Sequence, residues 1–256
     1  VWSLLGVATA DQELRGVTYL AKGKALLVGA DIHASPDRET PHREQWTGTS
    51  FVKVKGPQPT APETMALDRV ARIDGTNTAW AVGGSSLGAR IEKYDGTRFT
   101  TARLLASGAL NSVDVDPSGR AWAVGTADPF GSPKPMILRS TGGAWSKVAL
   151  PSSLPGGALN DVFARTATDA WAVGMSTTGG AIIVHWNGTA WKKVAPWTKP
   201  AGLNGQIIRG VAATKDAVIV VGADLPTSGD LRPFSMTWDG QGWTRHEVPA
   251  NSFGPA

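Results

Sequence analysis

A chain of 256 residues with 41% hydrophobic and 18% charged residues has the composition of a globular protein, not a disordered one. The absence of cysteine excludes a disulfide framework, a zinc–cysteine site and a thiol nucleophile, and no apolar run approaches the ~18 residues of a membrane helix. The formal charge of +4 is diffuse, with no basic run longer than Lys192-Lys193, so a nucleic-acid partner is not expected.

The glycine-rich, cysteine-free composition leans toward a secreted or extracytoplasmic bacterial protein, with a cytoplasmic one left open. The chain opens on VWSLLGV with no basic start, so no signal peptide is expected within it.

In chain order, VWSLL at 1–5 reads as a short outer strand, similar to AWSKV at 144–148. It either closes a ring or is the remnant of a larger one; closure is the expectation. The first full unit, 14–55, introduces three signals. They are Leu14 and Val17 in a Leu-x-x-Val strand, ALLVG ending at Gly29, and the aromatic-flanked turn WTGTSF at 46–51. Units at 67–104, 110–149, 159–195 and 208–249 repeat them in the same order. Leu67/Val70, Leu110/Val113, Leu159/Val162 and Ile208/Val211 carry the first signal. AWAVG at 79–83, 121–125 and 170–174, then VIVVG ending at Gly222, carry the second. YDGTRF, STGGAW, WNGTAW and WDGQGW carry the third.

Turn glycines Gly48, Gly96, Gly142, Gly188 and Gly240 recur every 46 to 52 residues, the mark of a repeat architecture. Each unit reads as four strands, a to d. Asp95-Gly96, Asn187-Gly188 and Asp239-Gly240 suit tight hairpin turns between c and d. The prediction is a single all-β domain, a five-bladed β-propeller of four-stranded antiparallel blades.

LNDVFARTATDAWAVG followed by IIVHWNGTAWKKV resembles the repeats of bacterial photosystem-assembly-factor-like propellers. It is also similar to the Asp-box (BNR) repeats of sialidase-type propellers. The boxes are degenerate, since STGGAW lacks the aspartate. The two tyrosines, Tyr19 and Tyr94, both sit within the strand framework, so a sialidase is rejected. The resemblance implies the fold, and lectins, hydrolases and assembly factors share it.

The repeat separates bricks from candidates. Ten of the 11 tryptophans fill repeat positions and are expected between strands; only Trp197 lies off the template. The a–b and c–d turns are short, whereas the b–c and d–a loops are long and variable, so a site is expected on their face over the central tunnel. They span 31–44, 56–66, 126–135, 195–206 and 223–233, the last including Arg232.

Asp31, Asp128 and Asp224 follow the strand b glycines and are expected to converge. With His33 they are the candidate acid/base residues, and a metal site or a plain solvated loop are the other readings of His33 and its neighbours. No motif with metal-ligand spacing or a cofactor fingerprint is present, so neither metal nor cofactor is assigned. Arg15, Asp68, Asn111, Asn160 and Arg209 occupy one position in strand a. They form either a hydrogen-bonded plug or a collar that binds an anion or polyol. Gly84-Ser85-Ser86-Leu87-Gly88 fits G-x-S-x-G, but on a hairpin loop instead of a strand–helix elbow.

The leading expectation is a monomeric binding protein for a glycan or small polar molecule, contacted by Arg15, Asp68, Asn111, Asn160, Trp197, Arg209 and Arg232. The alternatives are a lyase, cyclase or hydrolase in the same pocket, and a protein-assembly scaffold.

Overall fold

The computed structural model describes residues 11–34, 37–196 and 198–247, which hold strands and turns and no helix. The expected closing strand 1–5 and Trp197 lie outside the described residues.

Twenty strands form five four-stranded antiparallel sheets, each in chain order. Blade 1 is β1 (Gln12–Ala21), β2 (Lys24–Ala34), β3 (Asp37–Trp46) and β4 (Phe51–Lys53). Blade 2 is β5 (Met65–Arg72), β6 (Ala79–Ser85), β7 (Gly88–Tyr94) and β8 (Phe99–Leu104). Blade 3 is β9 (Ala109–Val115), β10 (Ala121–Thr126), β11 (Pro135–Thr141) and β12 (Ala144–Lys147). Blade 4 is β13 (Gly157–Thr166), β14 (Asp169–Ser176), β15 (Ala181–Trp186) and β16 (Trp191–Lys193). Blade 5 is β17 (Leu203–Ala213), β18 (Val218–Pro226), β19 (Arg232–Trp238) and β20 (Trp243–Glu247). The first strands pack in series, β1 on β5, β5 on β9, β9 on β13 and β13 on β17, so they line the axis of a five-bladed propeller.

The repeated glycine has a steric cause. In each blade the a–b ladder slips by one residue, leaving Arg15, Asp68, Asn111, Asn160 and Arg209 as bulge residues. The bulge drives a strand a carbonyl against the end of strand b. A Cβ on Gly29, Gly83, Gly125, Gly174 or Gly222 would lie 1.8 to 2.2 Å from that oxygen. Only glycine admits this approach.

The cores lie between blades. Trp122 of blade 3 packs against Trp186 and Trp191 of blade 4, at ring-centroid distances of 5.0 and 5.1 Å. Trp80 meets Trp145 of the next blade edge-on at 5.2 Å. Among the described residues, these repeat tryptophans are therefore bricks, as the sequence indicates. The blade 1–2 interface differs. There Glu92, fully buried, accepts from Arg43 Nε and Nη2 and from Arg90 Nε at 2.8 to 2.9 Å.

Residues 31–44 correct one expectation. They are not an open loop. β2 and β3 continue as a paired hairpin out to Ala34 opposite Asp37.

Candidate ligand-binding site

The b–c and d–a segments lie together around the N-terminal ends of the inner strands. A cavity of about 350 Å³ opens there, between blades 1, 2 and 3. Its walls include Glu39, Thr64, Ser85, Ser86 and Phe130.

Each wall is fixed locally. Ser86 N–H donates to the Thr64 carbonyl at 3.0 Å, and Ser86 Oγ accepts from Thr64 N–H at 3.2 Å. This pair ties the β6–β7 turn of blade 2 to the segment that leads into β5. Asp128 accepts from Gly131 N–H and Ser132 N–H, both at 3.0 Å. The carboxylate thereby braces a tight loop with Pro129 and Phe130 at its tip. Phe130 is 95% exposed and lines the cavity, an aromatic face presented beside hydroxyls.

The charge beside the cavity is net negative. Arg15 donates to Glu13 at 2.7 Å, to Glu39 at 2.7 Å and to Asp68 at 3.2 Å. Burial opposes the charge on Arg15, but the bonds to Glu13 and Glu39 outweigh it and raise its pKa. Asp68 is nevertheless raised by burial, which Arg15 only partly offsets, with Glu39 and Glu13 adding repulsion. One guanidinium thus serves three carboxylates. Arg15 is committed within the protein and is not a spare anion donor.

Two more members of the strand a set act as staples between blades. Asn111 Nδ2 donates to the Leu159 carbonyl at 2.8 Å, and Asn160 Nδ2 to the Ile208 carbonyl at 2.7 Å. Arg15 and Asp68 likewise bridge blades 1 and 2. This is the hydrogen-bonded arrangement: Arg15, Asn111 and Asn160 reach from the bulge to the following blade, and Asp68 accepts from the preceding one. Arg209, exposed, makes no hydrogen bond or ion pair among the described residues.

The candidate acid/base residues each have hydrogen-bond partners of their own. Asp31 accepts from Gln12 at 3.0 Å and shares a 2.7 Å hydrogen bond with His42. His33 pairs with Thr40. Asp224, buried, accepts from Gln206 at 2.7 Å and Arg245 at 2.8 Å, while Arg232 sits opposite it in the ladder and is exposed. Asp31, Asp128 and Asp224 belong to blades 1, 3 and 5, and each is hydrogen-bonded within its own blade. No cluster of three His, Asp or Glu side chains suited to a metal occurs among the described residues.

Two further cavities flank this one. A groove of about 590 Å³ between blades 3 and 4 carries Pro133, Pro135, Pro151 and Pro155. On the opposite, a–b side, an axial basin of about 520 Å³ holds Arg69, Asp74, Ser112, Asp114 and Asp161. Burial raises Asp114 to about 6, against a hydrogen bond from Ala164 N–H that lowers it. Sequence reasoning missed Asp114 because nothing in LNSVDV marks its burial. It missed Phe130 because TADPFGSPKP holds a lone aromatic among loop residues.

Neither a protein-family model nor a curated protein matches this sequence. Solved structures do match its shape. YCF48 bound to a D1 peptide is 17% identical at a TM-score of 0.58, over 93% of this chain and 68% of that one. An ulvan lyase, one of the polysaccharide lyases, is 10% identical at 0.61, over 93% and 66%. The fungal lectin of Aleuria aurantia, a six-bladed β-propeller with a fucose recognition mode, is 11% identical at 0.56, over 94% and 79%. The chain is a β-propeller. It spans about two thirds of the YCF48 and lyase chains. At such identities the likeness is one of fold, and the function rests on this chain's own side chains.

Proposed function

We propose that this propeller is a binding protein for a neutral glycan or similarly polar small molecule, seated in the loop-face cavity beside Phe130. The observation that carries the reading is the exposed Phe130 ring, braced by Asp128, next to Ser85, Ser86, Thr64 and Glu39. An aromatic face packs against the C–H face of a sugar ring, while hydroxyls and a carboxylate receive its O–H groups. The net-negative Arg15 cluster disfavours a polyanionic ligand and favours a neutral one. The fucose-binding lectin among the structural neighbours supports a glycan as the class. The cysteine-free composition fits a role outside the cytoplasm.

The test is a glycan array followed by calorimetry with any neutral sugar bound. Phe130→Ala is expected to weaken binding about ten-fold, the equivalent of a stacking contribution near 1.4 kcal/mol. A wild-type protein that binds no glycan, or a variant that binds equally well, rejects this assignment.

An acid/base enzyme is the second reading, favoured by the polysaccharide lyase among the neighbours and by Asp114, whose carboxyl is poised near neutrality. It moves the site to the axial basin, because Asp31, His33, Asp128 and Asp224 are each engaged elsewhere.

A further inference from the structure

Four inter-blade cores are built from the same positions. On the face toward the preceding blade, Leu67, Leu110, Leu159, Ile208 and Val70, Val113, Val162, Val211 are 0 to 9% exposed. On the face toward the following blade, Leu26, Trp80, Trp122, Trp171 and Val28, Val82, Val124, Val173 are 0 to 6% exposed. The two end blades break both rules. Leu14 and Val17 of β1 are 50% and 64% exposed, and Ile219 and Val221 of β18 are 43% and 47% exposed. No packing comparable to that of the other inner strands joins β17 to β1. Among the described residues, the same repeat positions that build every other core therefore form two uncovered half-cores, one on blade 5 and one on blade 1.

The staples agree. Each bulge side chain from Arg15, Asn111 and Asn160 reaches an acceptor on the following blade. At the same position of blade 5, Arg209 is exposed and makes no such bond among the described residues. The six-bladed lectin matches 94% of this chain with 79% of its own, which leaves part of that ring beyond these five blades.

We propose that the gap between blades 5 and 1 is the seat of further blades of this same repeat, at least one four-stranded antiparallel sheet. Its Leu-x-x-Val face covers Ile219 and Val221. Its strand b face, with an aromatic and a valine, covers Leu14 and Val17. A strand a carbonyl of the new blade receives Arg209. A sheet with two apolar faces is the one occupant that satisfies both half-cores at once and removes both exposed flanks. A soluble globular partner offers only one such face.

The test uses the 256-residue protein and two fusions of it, carrying one or two additional copies of residues 157–196 after Ala256. At least one fusion is expected to raise Tm by about 5 °C or more and to lower binding of the hydrophobic dye ANS. Val17→Ser within that fusion is expected to reverse the gain. In the unfused protein, Val17→Ser with Val221→Ser is expected to leave Tm within about 1 °C, whereas Val70→Ser lowers it by several degrees. The proposal is overturned if neither fusion gains stability. It also fails if the unfused double variant loses as much as Val70→Ser, because the ring then closes on itself. A dimer that dissociates in the Val17→Ser/Val221→Ser variant would give the two faces to a second copy, and would likewise overturn it.

Discussion

A methyl group on Gly174 would stand 2.0 Å from the Ala158 carbonyl oxygen, and that single contact explains why AWAVG ends as it does. At this scale the sequence was most legible where a residue answers a local backbone need, as the repeated glycines and hairpin Asp-Gly and Asn-Gly pairs do. It was least legible for Asp114, whose neighbours come from another blade. Burial holds its carboxyl at about 6, above the usual 3.8. The folded protein therefore keeps a proton there that the unfolded chain has released. The stability that this contributes is fully present below about pH 3.8 and is lost as pH rises through about 6. A shift of this size corresponds to roughly 1–3 kcal/mol for a partly buried group. Asp114→Asn retains an acceptor for Ala164 N–H, so it is expected to flatten the decline in Tm between pH 4 and 7 and to raise Tm at pH 7.5. A variant with the wild-type slope would move the pH dependence to another group.

Between elements, the polar interface of blades 1 and 2 contrasts with its apolar counterparts. In the c strands of blades 3, 4 and 5, Met136, Ile182 and Phe234 stand where Arg90 does, and Leu138, Val184 and Met236 where Glu92 does. Ile91, Ile137 and Ile183 correspond to Arg43. A buried ion cluster is costly to break and replaceable as a whole, because desolvation is recovered only when every charge goes together. Glu92→Leu alone is expected to cost roughly 3–5 kcal/mol, since it strands two buried guanidinium groups. The triple variant Arg43→Ile, Arg90→Met, Glu92→Leu is expected to equal the wild type or exceed it by up to about 4 kcal/mol. Urea midpoints compare the three proteins, and a triple variant weaker than the single one contradicts the argument. This cluster was barely legible in the sequence: Arg43 lies 49 residues from Glu92, and only inter-blade packing brings them together. Residues 31–44 were equally opaque, because a polar hairpin has no apolar alternation to announce its strands.

As a whole, the molecule is a linear series of sheets in which each blade packs mainly on its neighbours. Stability in such a series sums nearest-neighbour interfaces, so the end blades, each with one built interface, open most readily. Hydrogen exchange followed strand by strand is expected to show slowest exchange in β9 to β11 and fastest in β1, β2, β17 and β18. Uniform protection around the ring would mean that the blade 5–blade 1 flanks are covered in solution. The sequence by itself determined the all-β class, the five repeats, their four strands and the structural duty of the repeated tryptophans and glycines. Those follow from short-range periodicity and turn chemistry, which any stretch of about ten residues carries. Only the tertiary structure decided that Arg15 is spent on three carboxylates, that Phe130 stands beside a cavity, and that Leu14, Val17, Ile219 and Val221 stay exposed among the described residues. Each of these depends on residues from different blades, and a repeat pattern that makes every blade alike cannot say which blade's apolar positions stay exposed.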